Sequence, residues 1–283
     1  MKTSLTTFEA RCRAALLDVL HAQWRELGVP FSSPLRAKGL EVIDPEALLW
    51  CSLEFVASEA RLAEGVRAWS AASRTRINRQ RLNKFARSAT EVTRRQRWQE
   101  LDVGAPEFAG RTKKSLAVKP IGKRSRTVST LLLRSRDVLG NDSRSFLIVQ
   151  LIGSPRGVRL RDVAATTGYT YRSISDAASG WERADVVQIQ HGHCVLRNPA
   201  PWCELLNCSA AEVISVDWHA AYQASVALLR TLTIARTHRF ALDHPLVVSA
   251  IRETATALES TVSTADRSKS PAFEVLRTAL DGA

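Results

Sequence analysis

No apolar run among the 283 residues approaches the roughly 20 that carry a helix across a bilayer. The N-terminus has no basic patch followed by an apolar core and a small-residue cleavage site, so neither a membrane partner nor a secretory leader is expected. Cysteine is sparse and odd in number. Cys12, Cys51, Cys194, Cys203 and Cys208 are scattered along the chain, which excludes a disulfide-stapled scaffold and suits a reducing, cytoplasmic location. The glycine-rich phosphate loops G-x-x-x-x-G-K-[ST] and G-x-G-x-x-G are missing, as are H-E-x-x-H and the nucleophile elbow G-x-S-x-G. There is no repeat of fixed period. No enzyme is therefore expected, and no cofactor.

What the chain does have is positive charge: a net +12 and a pI near 10.1, which favour a polyanionic partner. The charge is unevenly placed. Gly65 to Arg136 carries an excess of about fifteen positive charges, leaving the remainder slightly acidic.

The length suits about two domains. Thr6 to Leu27 has Phe8, Cys12, Leu16, Val19, Leu20 and Trp24 at the three-and-four spacing of an amphipathic helix, ended by Gly28-Val29-Pro30. Asp44-Pro45-Glu46 combines a cap, a proline at the first helical position and an early acid, and predicts a helix running to about Ala57. Another, with Leu62, Val66 and Trp69, follows. Arg74 to Arg97 predicts two helices with narrow apolar stripes and wide basic faces, readable as a phosphate-tracking surface or as a solvated face. From Gly104 the punctuation by Gly and Pro and the uniformly positive Lys113, Lys114, Lys123, Arg124 and Arg126 mark a linker that could lie on a nucleic-acid backbone. The expected division is a helical domain at 1–103, a linker at 104–128, a central domain at 129–200 and a second helical domain at 201–283.

The central domain holds the informative stretch. Ser129 to Leu139 reads as a helix with Gly140 past its end. Asn141 or Asp142 can cap the next, with Phe146, Leu147, Val149, Leu151 and Ile152 apolar, stopped by Gly153-Ser154-Pro155. Leu160, Val163 and Ala164 make a short helix closed by Gly168. Thr170 then caps a third, with Ile174, Ala177, Ala178 and Trp181 inward and Tyr171, Arg172, Ser173, Ser175 and Asp176 outward. After Asp185 the period falls to two. Val187 and Ile189, then Cys194 or Val195 with Leu196, flank a His191-Gly192 turn.

Helix, short helix, glycine turn, helix and hairpin, over about a fifth of the chain, resembles the winged helix-turn-helix of bacterial regulators of the MarR and ArsR kinds. The fold class expected is mainly α, a winged helix-turn-helix with a small β-hairpin between helical domains. The resemblance implies that the third helix enters the major groove and the hairpin lies along the backbone or minor groove, placing Tyr171, Arg172, Ser173 and His191 to Arg197, with His193 among them, at DNA. Thr170 and Ser175 of the same helix start are expected to join them. Gly180 departs from the pattern, standing where a large aliphatic residue is common, so the third helix is expected to end or bend one turn early.

Beyond the hairpin, Asp217 caps a long helix with Trp218, Tyr222, Val226, Leu229 and Leu232 down one side. Asp243-His244-Pro245 opens another with Val247, Val248, Ile251, Ala255 and Leu258. After a polar break at Ser263 to Ser270, a last helix starts at Pro271. Such stripes suit a core or an interface, and a homodimer through these helices is expected, since winged helices commonly act in pairs.

His191, His193, Cys194, Cys203 and Cys208 are metal-ligand types, but H-x-H-C and C-x4-C are not zinc spacings and strand alternation sends His193 and Cys194 to opposite faces. No metal is expected. Asp176, Glu182 and Asp185 lie among arginines, and salt bridging outweighs acid-base chemistry. The leading reading is a double-stranded DNA-binding transcription regulator. The alternative is an antitoxin or assembly protein whose terminal helices clasp a protein partner, such as a toxin, while the central module autoregulates its operon. A nucleic-acid enzyme using the basic face is a third reading, against which the missing motifs stand.

Overall fold

The computed structural model describes residues 4–35, 41–88, 127–262 and 270–281. Among them are 12 α-helices and one small three-stranded antiparallel sheet, a mainly helical protein as expected. The second expected basic helix, most of the linker and most of the polar break at Ser263 to Ser270 lie outside the described residues.

Local signals explain most helix starts. Helix α1 (Leu5–Glu26) is capped by Ser4, whose hydroxyl accepts from Thr7 N. Helix α2 (Pro45–Ser52) is capped by Asp44, which accepts from the amides of Glu46 and Ala47. It stops short of the expected Ala57. Leu53 and Phe55 are both fully buried, and two residues apart on a helix they would face opposite ways, so the chain turns instead. Helices α3 (Ala60–Ala72) and α4 (Arg79–Ser88) follow.

The hydrophobic core is divided by contact rather than by chain order. Phe8, Leu16, Leu20, Trp24, Leu48 and Trp69 from the N-terminal helices share one cluster with residues of α10 (Trp218–Thr237), α11 (Pro245–Thr261) and α12 (Pro271–Leu280). The stripe expected at a dimer interface lies in that cluster. Trp218, Tyr222, Val226, Leu229 and Leu232 are at most 6% exposed, and α10 packs on α1, α2 and α11 of its own chain. Tyr222 Oη is 2.7 Å from Gln23 Oε1, and Trp218 Nε1 donates to Val42 O at 2.9 Å. A stripe filled by the same chain offers no apolar area to a second copy.

The second cluster belongs to the middle of the chain: α5 (Leu131–Leu139), α6 (Ser143–Gly153), α7 (Leu160–Thr167), α8 (Tyr171–Arg183) and α9 (Ala200–Leu206), with strands β1 (Val158–Arg159), β2 (Val187–Gln190) and β3 (His193–Leu196). The sheet order is β1-β3-β2. Strand β1 is an addition to the expected hairpin, because two residues carry no readable period. In α5, Leu131, Leu132 and Leu133 are buried while Val138 is 49% exposed. Helix α8 does not end early at Gly180. A Cβ there would meet nothing closer than an Arg183 nitrogen at 3.9 Å, and Ala178 and Trp181 on either side pack on the cluster and hold the helix to Arg183.

Candidate nucleic-acid interface

The exposed surface of the middle cluster is set by two turns. Between α7 and α8, Gly168 sits at φ +72°, and a Cβ on it would lie 2.9 Å from the Phe85 ring of α4. Glycine is required there both for its backbone and for that close approach. Between β2 and β3, His191 and Gly192 take φ of 50° and 75°, the primed two-residue geometry that matches strand twist. The register pairs Val187 with Leu196 and Ile189 with Cys194, so the alternation read from the sequence is the alternation observed.

Helix α8 begins at Thr170, whose hydroxyl accepts from Ser173 N at 3.1 Å. Ile174 and Ala178 are fully buried, which leaves the opposite face outward. Tyr171 is 51% exposed, and Arg172 is bound only loosely to Asp176, 3.8 Å away, with side-chain exposures of 91% and 74%. Ser175 is half-buried. Ser173 is turned inward: its hydroxyl donates to Ser143 Oγ at 3.0 Å, and Ser143 donates to Ser173 O at 3.1 Å. Ser173 therefore spends its hydroxyl on holding the helix start, while Thr170, which accepts from Ser173 N, is exposed.

On the hairpin, His191 is exposed and His193 half-buried, with Cys194 buried on the other face. Burial pushes the Cys194 thiol up to about 11, with a smaller push from Glu182. Arg159 stands beside His193 in the β1–β3 pair, and Arg159, Gln188, Gln190, His191, His193 and Val195 line one shallow surface. Arg159 escaped the sequence reading because the β1 pairing that brings it beside His193 is invisible in a two-residue strand. Arg197 lies at the hairpin's foot, 3.2 Å from Asp185. Lys113, Lys114, Lys123, Arg124 and Arg126 lie outside the described residues. Among the described residues no three His, Cys, Asp or Glu side chains converge as a metal site would require.

A buried ionic seam fixes this surface to the rest of the protein. Arg81 of α4, read from the sequence as part of a wide basic face, is 1% exposed. It pairs with Asp44 and Glu46, donates to Thr167 O at the end of α7, and lies 4.1 Å from the Phe146 ring centroid. Arg136 of α5 donates to both oxygens of Glu46 at 2.8 and 2.7 Å. Lys84 donates to Gly168 O at 3.0 Å, and the Asn78 amide nitrogen donates to Tyr169 Oη at 2.9 Å. Burial alone would raise Asp44, but the Arg81 guanidinium beside it outweighs burial and holds its carboxyl low. Four charges with nearly every lone pair and proton engaged make the junction specific in geometry.

Two ionisable groups flank the seam. Burial raises Asp217, the cap of α10, to about 6, and burial lowers His219 to about 4. The neutral His219 ring stacks on Phe85 at 3.7 Å, so α10 backs the same α4 residue that crowds Gly168. Among the described residues no helix is long and apolar enough to cross a membrane. Comparison of the chain with protein-family models, with curated proteins and with solved structures found no match.

Proposed function

We propose that residues 143–196 are a winged helix-turn-helix and that the protein is a double-stranded DNA-binding transcription regulator, resembling those of the MarR and ArsR kinds. The observation that carries this reading is the outward N-terminal face of α8, where Tyr171 and Arg172 are exposed, together with a hairpin surface bearing Arg159, Gln188, Gln190, His191 and His193. Arginine, glutamine and histidine are donors suited to phosphates and base edges. In this reading α8 enters the major groove, α6 and α7 support it, and the β2–β3 hairpin follows the backbone. Arg172 reads a base edge after leaving Asp176, a small loss at a fully solvated pair. Arg159 and Arg197 neutralise phosphates, joined by the basic segment at 104–128. A single α8 covers few base pairs, so two copies on paired half-sites complete the proposal.

The test is selection of bound fragments from random duplex DNA, followed by binding to the selected site over a range of salt. Wild-type affinity is expected to fall by a few powers of ten between low and physiological salt if about six to eight phosphates are neutralised. Arg172→Ala is expected to cost about 1–3 kcal/mol at the selected site and little at random DNA. Binding indifferent to salt, or an Arg172→Ala protein that keeps its full preference, would overturn the assignment.

A further inference from the structure

Helix α9 ends in an arrangement that brings two cysteines together. Asn207 takes the left-handed conformation, φ 48° and ψ 59°. Its N–H donates to Glu204 O at 3.0 Å, and the N–H of Cys208 donates to Cys203 O at 2.9 Å. This pair of bonds is the Schellman closure, which folds the second residue past the helix back over the last turn and sets its side chain against the residue five positions earlier. Those two positions commonly carry an apolar pair. Here they are Cys208 and Cys203, both free and both half-buried. The 2.9 Å bond from Cys208 N to Cys203 O draws the two residues together, as the roughly 4.4–6.8 Å Cα separation of a disulfide requires. The other three cysteines are buried.

The turn is also held from outside. Arg134 of α5 donates to Leu206 O, to Asn207 O at 3.0 Å and to Thr127 O at 2.8 Å, so the backbone between the two cysteines is pinned. The neighbouring Trp202 lies 5.7 Å from Trp181 of α8, joining the turn to the helix whose other end is exposed.

We propose that Cys203 and Cys208 are a redox site, a dithiol that closes reversibly to a disulfide by exchange with low-molecular-weight disulfides. The Cys203 thiolate attacks one sulfur of the small disulfide, forming a mixed disulfide and releasing one small thiolate. Cys208 then gives up its proton and attacks the Cys203 sulfur, and the second small thiolate leaves. The pair loses two electrons and two protons, which the small disulfide carries away as two thiols. Burial pushes the Cys208 thiol up to about 11, which slows its attack on an external disulfide. Its position against Cys203 compensates in the intramolecular step. The site is independent of whether the chain binds DNA.

The test equilibrates the full chain in glutathione and glutathione disulfide at graded ratios, traps free thiols by alkylation and weighs the tryptic peptide 198–230, which contains both cysteines and no other. The native chain is expected to lose two hydrogens in that peptide at a disulfide-to-thiol ratio about tenfold lower than the urea-unfolded chain requires. Asn207→Val, which strains the left-handed residue, is expected to move the native midpoint several-fold towards the unfolded one, while Asn207→Gly leaves it in place. Native and unfolded chains that oxidise at the same ratio, or a native chain that stops at the mixed disulfide, would overturn the proposal.

Discussion

Arginine does opposite work in two regions of this protein. In the seam between the two hydrophobic clusters, Arg81 and Arg136 are 1% and 4% exposed, each held by carboxylates and each set over the Phe146 ring. On the outer face of α8, Arg172 is 91% exposed by its side chain and touches one carboxylate at 3.8 Å. Charge in the seam has already found its anions, and its removal would leave buried Asp44 and Glu46 short of a partner. Charge on α8 is solvated and only loosely paired. A net positive count therefore overstates the surface available to a partner by whatever fraction is built into the fold.

The contrast is most easily broken at the seam. Arg81→Met removes the one guanidinium that touches Asp44, Glu46 and Thr167 O together, and is expected to cost about 3–5 kcal/mol in urea unfolding. A loss under about 1 kcal/mol would mean that water or a rearranged Arg136 compensates, and that the junction is not dry.

A smaller effect sharpens the picture of the seam's edge. Asp217 has a folded-state pKa raised to about 6 by burial, so ionisation weakens the fold. The stability linked to its protonation is full below the unfolded value and is lost as pH rises through about 6. Asp217→Asn keeps an N-cap and removes the ionisable group. It is expected to be more stable than wild type by about 1–3 kcal/mol near neutral pH, with the difference vanishing near pH 4. The depressed His219 is common to both proteins and cancels from the comparison. Equal urea midpoints at both pH values would show that Asp217 is solvated.

The smallest expected effect is at the outer face. Arg172→Ala should change unfolding free energy by no more than about 0.5 kcal/mol, since an exposed pair at this distance contributes little. A larger loss by thermal or urea unfolding would reveal a structural role for Arg172 and would erase the distinction between the two kinds of arginine.

The elements that the sequence made legible are those specified within a turn or two of chain. Asp44, Asp142, Thr170 and Asp217 cap the helices they were expected to cap, because a side-chain oxygen and an amide two or three residues on need nothing else. The β2–β3 register followed from alternation and a two-residue turn. Among the candidate site residues, Tyr171 and Arg172 stand outward as helical periodicity required, whereas Ser173 turned inward to meet Ser143 across 30 residues of sequence. Strand β1, and with it Arg159 beside His193, depended on pairing that a two-residue segment does not announce.

By itself, then, the sequence determined where helices begin, which face of each is apolar, and that the chain carries far more positive than negative charge. Only the tertiary structure decided what each apolar face meets and which charges are spent. The stripe from Trp218 to Leu232 looks the same in sequence whether it packs on α1 and α2 or on another copy, because amphipathicity specifies a surface and not its occupant. Arg81 likewise looks like its basic neighbours until Asp44, Glu46 and Thr167, 35 to 86 residues away, are brought around it. Burial and pairing are properties of contacts between distant segments, and local periodicity carries no record of them.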